Sequence, residues 1–143
     1  FKSELPNAVI FDIDGTLAIM GNRSPFEWGK VDRDSLNEIV ADQLKFHYEA
    51  GRTIILLSGR DESCRKLTEE WLEYYNIPWH LFYMRPAGSY EKDTVIKRNI
   101  YHSQIKDRYN VLAVYDDRLS VVKDTWFDLG LFTFCCNQGL FEF

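Results

Sequence analysis

Ala8-Val9-Ile10-Phe11-Asp12-Ile13-Asp14-Gly15-Thr16 is the stretch from which the rest of the chain is best read. Its first four residues are apolar without alternation, which suits a strand covered on both faces. The run ends at Asp12, with a second aspartate two residues on and a glycine for the turn. Buried strands covered on both faces belong to parallel sheets, whose ligand sites lie at the carboxyl ends of the strands. The residues just after each apolar run are therefore the ones that matter.

Further runs repeat the pattern. Thr53 to Leu57, His80 to Met84, Val111 to Tyr115 and Leu131 to Cys135 read as strands. Between them lie amphipathic stretches. Arg33 to Ala50 has Leu36, Ile39, Val40, Leu44 and His47/Tyr48 on one helical face, with Gly51 as a stop. Ser63 to Tyr75 places Leu67, Trp71, Leu72 and Tyr75 inward, and Pro78 prevents its continuation. Glu91 to Tyr109 carries Val95, Ile96, Ile100 and Ile105. Ser120 is expected to cap a short helix bearing Val121, Val122, Trp126 and Leu129. Strands alternating with helices predict an α/β fold, a Rossmann-like three-layer sandwich around a five-stranded, mainly parallel sheet.

The 143 residues fit one domain, 1–143, and no apolar run is long enough to cross a membrane. The chain opens at Phe1 rather than Met, as expected of a portion of a longer polypeptide. Lys and Arg total 17 against 22 Asp and Glu, a net charge of −5. That balance argues against a long nonspecific nucleic-acid groove, which depends on phosphate neutralisation. It leaves room for a small cationic pocket that holds one phosphorylated end. Cys64, Cys135 and Cys136 form no disulfide pattern, so a reducing, cytoplasmic setting is expected. His47, His80 and His102 are too scattered for a zinc site.

The strand ends collect chemistry. The first gives Asp12 and Asp14, the second Ser58-Gly59-Arg60, the third Arg85, and the fourth Asp116-Asp117-Arg118. Several carboxylates in one small site repel unless a cation or proton relieves them. A hard divalent cation with oxygen ligands answers this, and Mg²⁺ is the expected one. Ser58 and Gly59 offer a hydroxyl and amides beside a following helix, and Arg60 offers a guanidinium fork suited to phosphate. Lys97, on the helix after the third strand, is placed to point toward the same edge.

Phe11-Asp12-Ile13-Asp14-Gly15-Thr16-Leu17 resembles the DxDGT signature of the haloacid dehalogenase-like (HAD) phosphatases. Ser58, Lys97 and Asp116-Asp117 resemble that superfamily's second, third and fourth motifs, in the same order. The neighbourhoods of Phe11 to Ala18, Ser58-Gly59-Arg60, Arg85, Lys97, Asp116-Asp117-Arg118 and Asn137-Gln138-Gly139 are similar to the 3′-phosphatase domain of phage-type polynucleotide kinase–phosphatases. The resemblance implies a nucleophile at Asp12, forming an aspartyl-phosphate. It implies a general acid and base at Asp14, held protonated by its acidic neighbours. Ser58 and Lys97 would bind phosphoryl oxygens. Asp12, the Asp14 carbonyl, Asp116 and Asp117 would hold Mg²⁺, with the direct ligand of the last pair left open. Arg60, Arg85 and Arg118 would lie on the substrate side, engaging phosphate or supporting the site, with Lys92 and Arg23 as weaker candidates.

The segment around 18–32 is too short for a large cap domain and reads as a small flap, in which Phe26 and Trp28 are expected to pack the loop onto the core, with stacking on a base as the alternative. The implied substrate is a 3′-phosphorylated DNA or RNA end. The chain has no GxxxxGK[ST] phosphate loop, so a fused or coupled 5′-kinase would lie outside it. Two alternatives stay open: a phosphatase of small metabolites or mononucleotides, and a catalytically silent phosphate-binding module. The presence of Asp12, Asp14 and Lys97 speaks against the second.

Overall fold

A computed structural model describes residue 2, residues 4–20, 27, 29 and 31, and residues 34–137. Arg23, Phe26, Trp28, Gln138 and Gly139 lie outside the described residues. The frame is a sheet of five parallel strands: β1 (Asn7–Phe11), β4 (Thr53–Asp61), β5 (Leu81–Arg85), β6 (Asn110–Asp116) and β7 (Thr133–Cys135). Their spatial order is β5-β4-β1-β6-β7. The chain thus runs outward in one direction to β5 and then crosses back over β1 to β6, so β1 sits at the centre.

Successive residues of a strand face opposite sides of the sheet, and both sides are covered. Val9 and Phe11 of β1, Ile54 and Leu56 of β4, and Ala113 and Tyr115 of β6 pack beneath α1 (Glu38–Glu49) and α2 (Arg65–Tyr74) with Val40, Ala41, Leu44, Trp71 and Leu72. Ala8 and Ile10, Ile55 and Leu57, and Val114 face the other way, onto Ile105, Val121 and Trp126. These belong to the turns after α3 (Asp93–Ile100) and to α4 (Leu119–Val121) with its continuation. The uninterrupted apolar runs of the sequence are therefore the strands with two buried faces, and the three-layer sandwich is as expected. Among the described residues no cap domain interrupts it.

Several local expectations are corrected. The first helix starts at Glu38, not Arg33, because Ser35–Leu36 forms β3 and pairs antiparallel with β2 (Ala18–Ile19). That shift leaves Ile39 on the solvent side, 75% exposed. The helix after β5 is regular only from Asp93 to Ile100. It then widens over Tyr101–Ile105, where the Lys106 N–H reaches the Tyr101 carbonyl at 2.8 Å. Its inward face holds Ile96 and Lys97, while Val95 is exposed. Ser120 is not a cap: α4 begins after Arg118 and has no side-chain cap bond. The helical path from Val122 to Phe127 is again widened and buries Trp126.

β4 also runs farther than expected, through Ser58, Gly59 and Arg60 to Asp61, with its pairing to β5 shifting between Ser58 and Asp61. The next helical turn starts at Glu62 and is capped by Asp61. The helical turn thus begins one residue before the Ser63 start expected from the sequence, and Ser58 and Gly59 belong to the strand.

Candidate active site

Strand register brings the site together. Phe11 pairs with Leu56 of β4 and Tyr115 of β6, so Asp12 leaves the sheet between the two strands that deliver Ser58 and Asp116. The Asp12 N–H donates to the Tyr115 carbonyl at 2.9 Å. Phe11 and Tyr115, the residues just before the two aspartates, stack at 4.4 Å between centroids and 7° between planes. The carboxylates thus project from a packed base that fixes their spacing.

Lys97 is the pivot. Its ammonium, buried on α3, donates to Asp12 Oδ1 at 2.9 Å and to Asp116 Oδ2 at 2.8 Å. Burial alone works to lower the Lys97 amine, but Asp116, Asp12 and Asp93 outweigh it and push the value above the usual lysine range. Asp116 is held on both oxygens: Oδ2 also accepts from Trp126 Nε1 at 3.0 Å, and Oδ1 from the Arg118 N–H at 3.3 Å. Thr16 Oγ1 lies 3.3 Å from Asp12 Oδ2 and 3.5 Å from Asp117 Oδ1.

Asp12, Asp116 and Asp117 each present a carboxylate oxygen, all within 4.8 Å of one another. One ammonium does not balance three carboxylates. Burial first, then the mutual repulsion of the group, raises Asp12 well above the ordinary carboxylate value despite Lys97. Burial likewise raises Asp117. A cluster of hard oxygen donors with surplus negative charge fits a divalent cation such as Mg²⁺ or Ca²⁺. Gly15 makes the arrangement possible. Its φ is +80°, and a Cβ there would stand 2.0 Å from Asp117 Oδ2.

The Asp14 side chain is not part of this cluster and is 28% exposed. Its oxygens accept from Arg60 Nε at 3.1 and 3.2 Å, and Oδ1 also from Nη2 at 2.8 Å. The neighbours expected to hold a proton on Asp14 were acidic; the structure gives it a guanidinium. Of the two roles expected of Arg60, engaging phosphate or supporting the site, its packing favours the second. Its side chain is fully buried, with Nη1 also donating to Thr68 Oγ1 at 3.0 Å and Nη2 to Asp34 Oδ2 at 2.8 Å, so it supports the site from within. Ser58 is buried within β4, where its Oγ accepts from the Arg60 N–H at 3.0 Å.

Arg85 and Arg118 form the rim and share Asp93, one carboxylate oxygen each. Arg85 is further held by the Gly59 carbonyl at 2.9 Å and the carbonyl of Glu91. Gly59 matters by its size, since a Cβ there would lie 2.7 Å from Asp93 Oδ1. Outside this bridge a cleft of roughly 360 Å³ is lined by Lys92, Asp93, Thr94, Arg118, Ser120 and Asp124. Asp93, Asp34 and Thr68 were not singled out from the sequence. For Asp93 a signal existed: it precedes Lys97 by one helical turn, the spacing that puts two side chains on one face.

Burial works to raise the Asp93 carboxyl, but Lys97, Arg118 and Arg85 together hold it below its ordinary value of 3.8. A folded value below the unfolded one stabilises above 3.8 and ceases to do so as the pH falls through the folded value. Asp93→Asn should therefore be less stable than the parent at neutral pH, with the gap closing below pH 3.8. Urea unfolding at a series of pH values checks this; a gap that does not change with pH would contradict it.

Comparison with known proteins agrees with this geometry. Residues 6–141 match the family model of the polynucleotide kinase PNKP phosphatase domain. A protein of Autographa californica nuclear polyhedrosis virus, an inferred bifunctional polynucleotide kinase/RNA ligase, is 35% identical over 131 residues, 90% of this chain and 19% of its own length. A chain in the solved Pnkp1/Rnl/Hen1 complex superposes with a TM-score of 0.93 at 39% identity, over 98% of this chain and 49% of that one. The Class C acid phosphatase of Bacillus anthracis shares the fold, with a TM-score of 0.68 at 17% identity, over 98% of this chain and 70% of that one. The chain spans about a fifth of the viral relative and about half of the Pnkp1/Rnl/Hen1 chain. With a matched family model over nearly its whole length and the acidic strand ends in place, the chain belongs to the phosphatase-domain family of polynucleotide kinases, and it is a phosphoric monoester hydrolase.

Proposed function

We propose that this chain removes 3′-phosphate groups from polynucleotide ends, using Mg²⁺ and an aspartyl-phosphate on Asp12. The observation that carries the reading is the buried Asp12 carboxylate at the end of the central strand, held by Lys97 beside Asp116 and Asp117. An Asp12 oxygen attacks phosphorus in line, forming the O–P bond as the ester O–P bond breaks. Asp14 gives its proton to the departing 3′-oxygen, leaving a 3′-hydroxyl. Asp14 then takes a proton from water, whose oxygen attacks phosphorus. Asp12 is regenerated and inorganic phosphate leaves.

Lys97 has three donors, of which two hold carboxylates; the third would meet a phosphoryl oxygen. The Ser58 hydroxyl would meet another. Asp12, Asp117 and the Asp14 carbonyl would hold Mg²⁺, with Asp116 adjoining. The metal, when bound, supplies charge neutralisation for the encounter of carboxylate with phosphate.

Arg118 and Lys92, beside the open cleft, would guide the chain behind the terminal phosphate. RNA ends are placed first because the relatives' names concern RNA repair and RNA ligation. A coupled 5′-kinase, also named in the viral relative, belongs to the same reading, as does a cytoplasmic setting. Among the described residues no helix is long and apolar enough to cross a membrane.

Phosphate release is measured from 3′-phosphorylated RNA and DNA oligonucleotides, 5′-phosphorylated counterparts, 3′- and 5′-mononucleotides and an aryl phosphate, each with Mg²⁺ or chelator. The expected result is metal-dependent release that prefers the 3′-phosphorylated end and vanishes in Asp12→Asn. Faster turnover of mononucleotides with the oligonucleotides untouched would retain the chemistry and reject the polymer substrate.

A further inference from the structure

The buried arginine beneath the acid loop suggests how Asp14 is aimed. Arg60 has a fully buried side chain, so its orientation is set by its protein partners. A guanidinium is a rigid plane, and fixing two of its corners fixes the direction of the third edge. One corner, Nη1, donates to Thr68 of α2 at 3.0 Å. Another, Nη2, donates to Asp34 Oδ2 at 2.8 Å, and the Asp34 side chain is fully buried as well. The edge that remains, formed by Nε and Nη2, carries both oxygens of Asp14.

Asp34 is itself pinned. Its carbonyl accepts from Trp71 Nε1 at 2.8 Å, and its N–H donates to the Val31 carbonyl at 3.2 Å. It stands directly before β3. The acid loop, α2 and the residue before β3 thus meet on one buried cation.

We propose that Asp34 is a positioning residue for the reaction: by holding Nη2 of Arg60 it sets the guanidinium edge that aims the Asp14 carboxyl at the leaving oxygen. This rests on the acid role proposed for Asp14. Asp34 touches no reacting atom, so its removal should damage only the step that needs an aimed acid. A 3′-alkoxide is a poor leaving group and needs a proton as it departs. A nitrophenolate leaves without one.

The test measures leaving-group release in the first turnover, for a 3′-phosphorylated oligonucleotide and for p-nitrophenyl phosphate. In Asp34→Ala, 3′-hydroxyl formation should fall about 100-fold and nitrophenol release by less than about threefold. Asp34→Asn, whose amide oxygen can still accept from Nη2, should restore most of the lost oligonucleotide rate. If Asp34→Ala does not melt cooperatively, Asp34→Glu takes its place. It keeps a carboxylate for the buried cation but displaces it, and the same selective loss is expected.

Equal losses on both substrates, or an unchanged oligonucleotide rate, would overturn the inference. Asp14→Asn serves as the reference. If it too loses both substrates equally, the acid role of Asp14 is what fails. If it shows the selective loss and the Asp34 variants do not, Asp34 is not the positioning residue.

Discussion

Lys97→Met should lose both turnover and a large part of the folded stability at neutral pH. The side chain is buried between Asp12 and Asp116, at 2.9 and 2.8 Å. Methionine fills a similar volume but leaves two neighbouring carboxylates without their cation. Breaking a buried ion pair from one side costs about 3–5 kcal/mol, because a buried charge is left uncompensated. For a domain of this size that corresponds to a fall in Tm on the order of 10 °C.

The loss should depend on pH. With Lys97 absent, the carboxylates relieve their repulsion by taking up protons, so the deficit should shrink as the pH falls and grow toward neutrality. In the parent, Lys97 lies above its ordinary value of 10.5, so its stabilisation is complete below 10.5 and declines only as the pH rises through the higher folded value. Thermal melts of both proteins without divalent metal, from pH 5 to 9, make the comparison. Equal stability across that range would show that Lys97 does not hold the carboxylate cluster together. Added Mg²⁺ should recover part of the variant's stability, since a ligand that binds only the folded state raises Tm.

Gly15→Ala should be the second large effect, and it acts on the metal. A non-glycine residue at φ +80° costs roughly 1–2 kcal/mol by itself. The new Cβ would also stand 2.0 Å from Asp117 Oδ2, so the carboxylate has to move. Displacing a ligand or its support usually costs about 10–100-fold in metal affinity or activity. On the proposed Mg²⁺ dependence, the variant should need at least ~10-fold more Mg²⁺ for half-maximal phosphate release. Raising Mg²⁺ should recover part of the rate, whereas Asp12→Asn should stay inactive at any concentration. A variant with unchanged Mg²⁺ dependence would mean that Asp117 is not a metal ligand.

The two glycines beside carboxylates illustrate how much of the site was legible. DxDGT marks a turn that needs a glycine, and that much is visible in the linear pattern. That the same hydrogen atom makes room for Asp117, about a hundred positions away in the chain, is a contact made by folding. Gly59 against Asp93 is the same kind of fact.

The sequence by itself determined the strands and the edge on which chemistry gathers. Uninterrupted apolar runs have to be covered on both faces, and the residues at their carboxyl ends have to emerge together at one edge of a parallel sheet. Asp12, Asp14, Asp116 and Asp117 were placed together by that logic; Asp12, Asp116 and Asp117 lie together, whereas the Asp14 carboxyl is held by Arg60. Lys97 was placed toward the same edge by its helix, and the resemblance gave it a role there.

The tertiary structure decided what each charged group faces. Arg60 read as a phosphate ligand or a support of the site, its chemistry suiting either. It became a buried support because β4 continues past Ser58 and turns the side chain inward to Asp14, Asp34 and Thr68. The physical reason is range. Apolar periodicity is local and survives in the linear pattern. The partner of a charge is chosen by distances between elements, and these exist only once the core has packed.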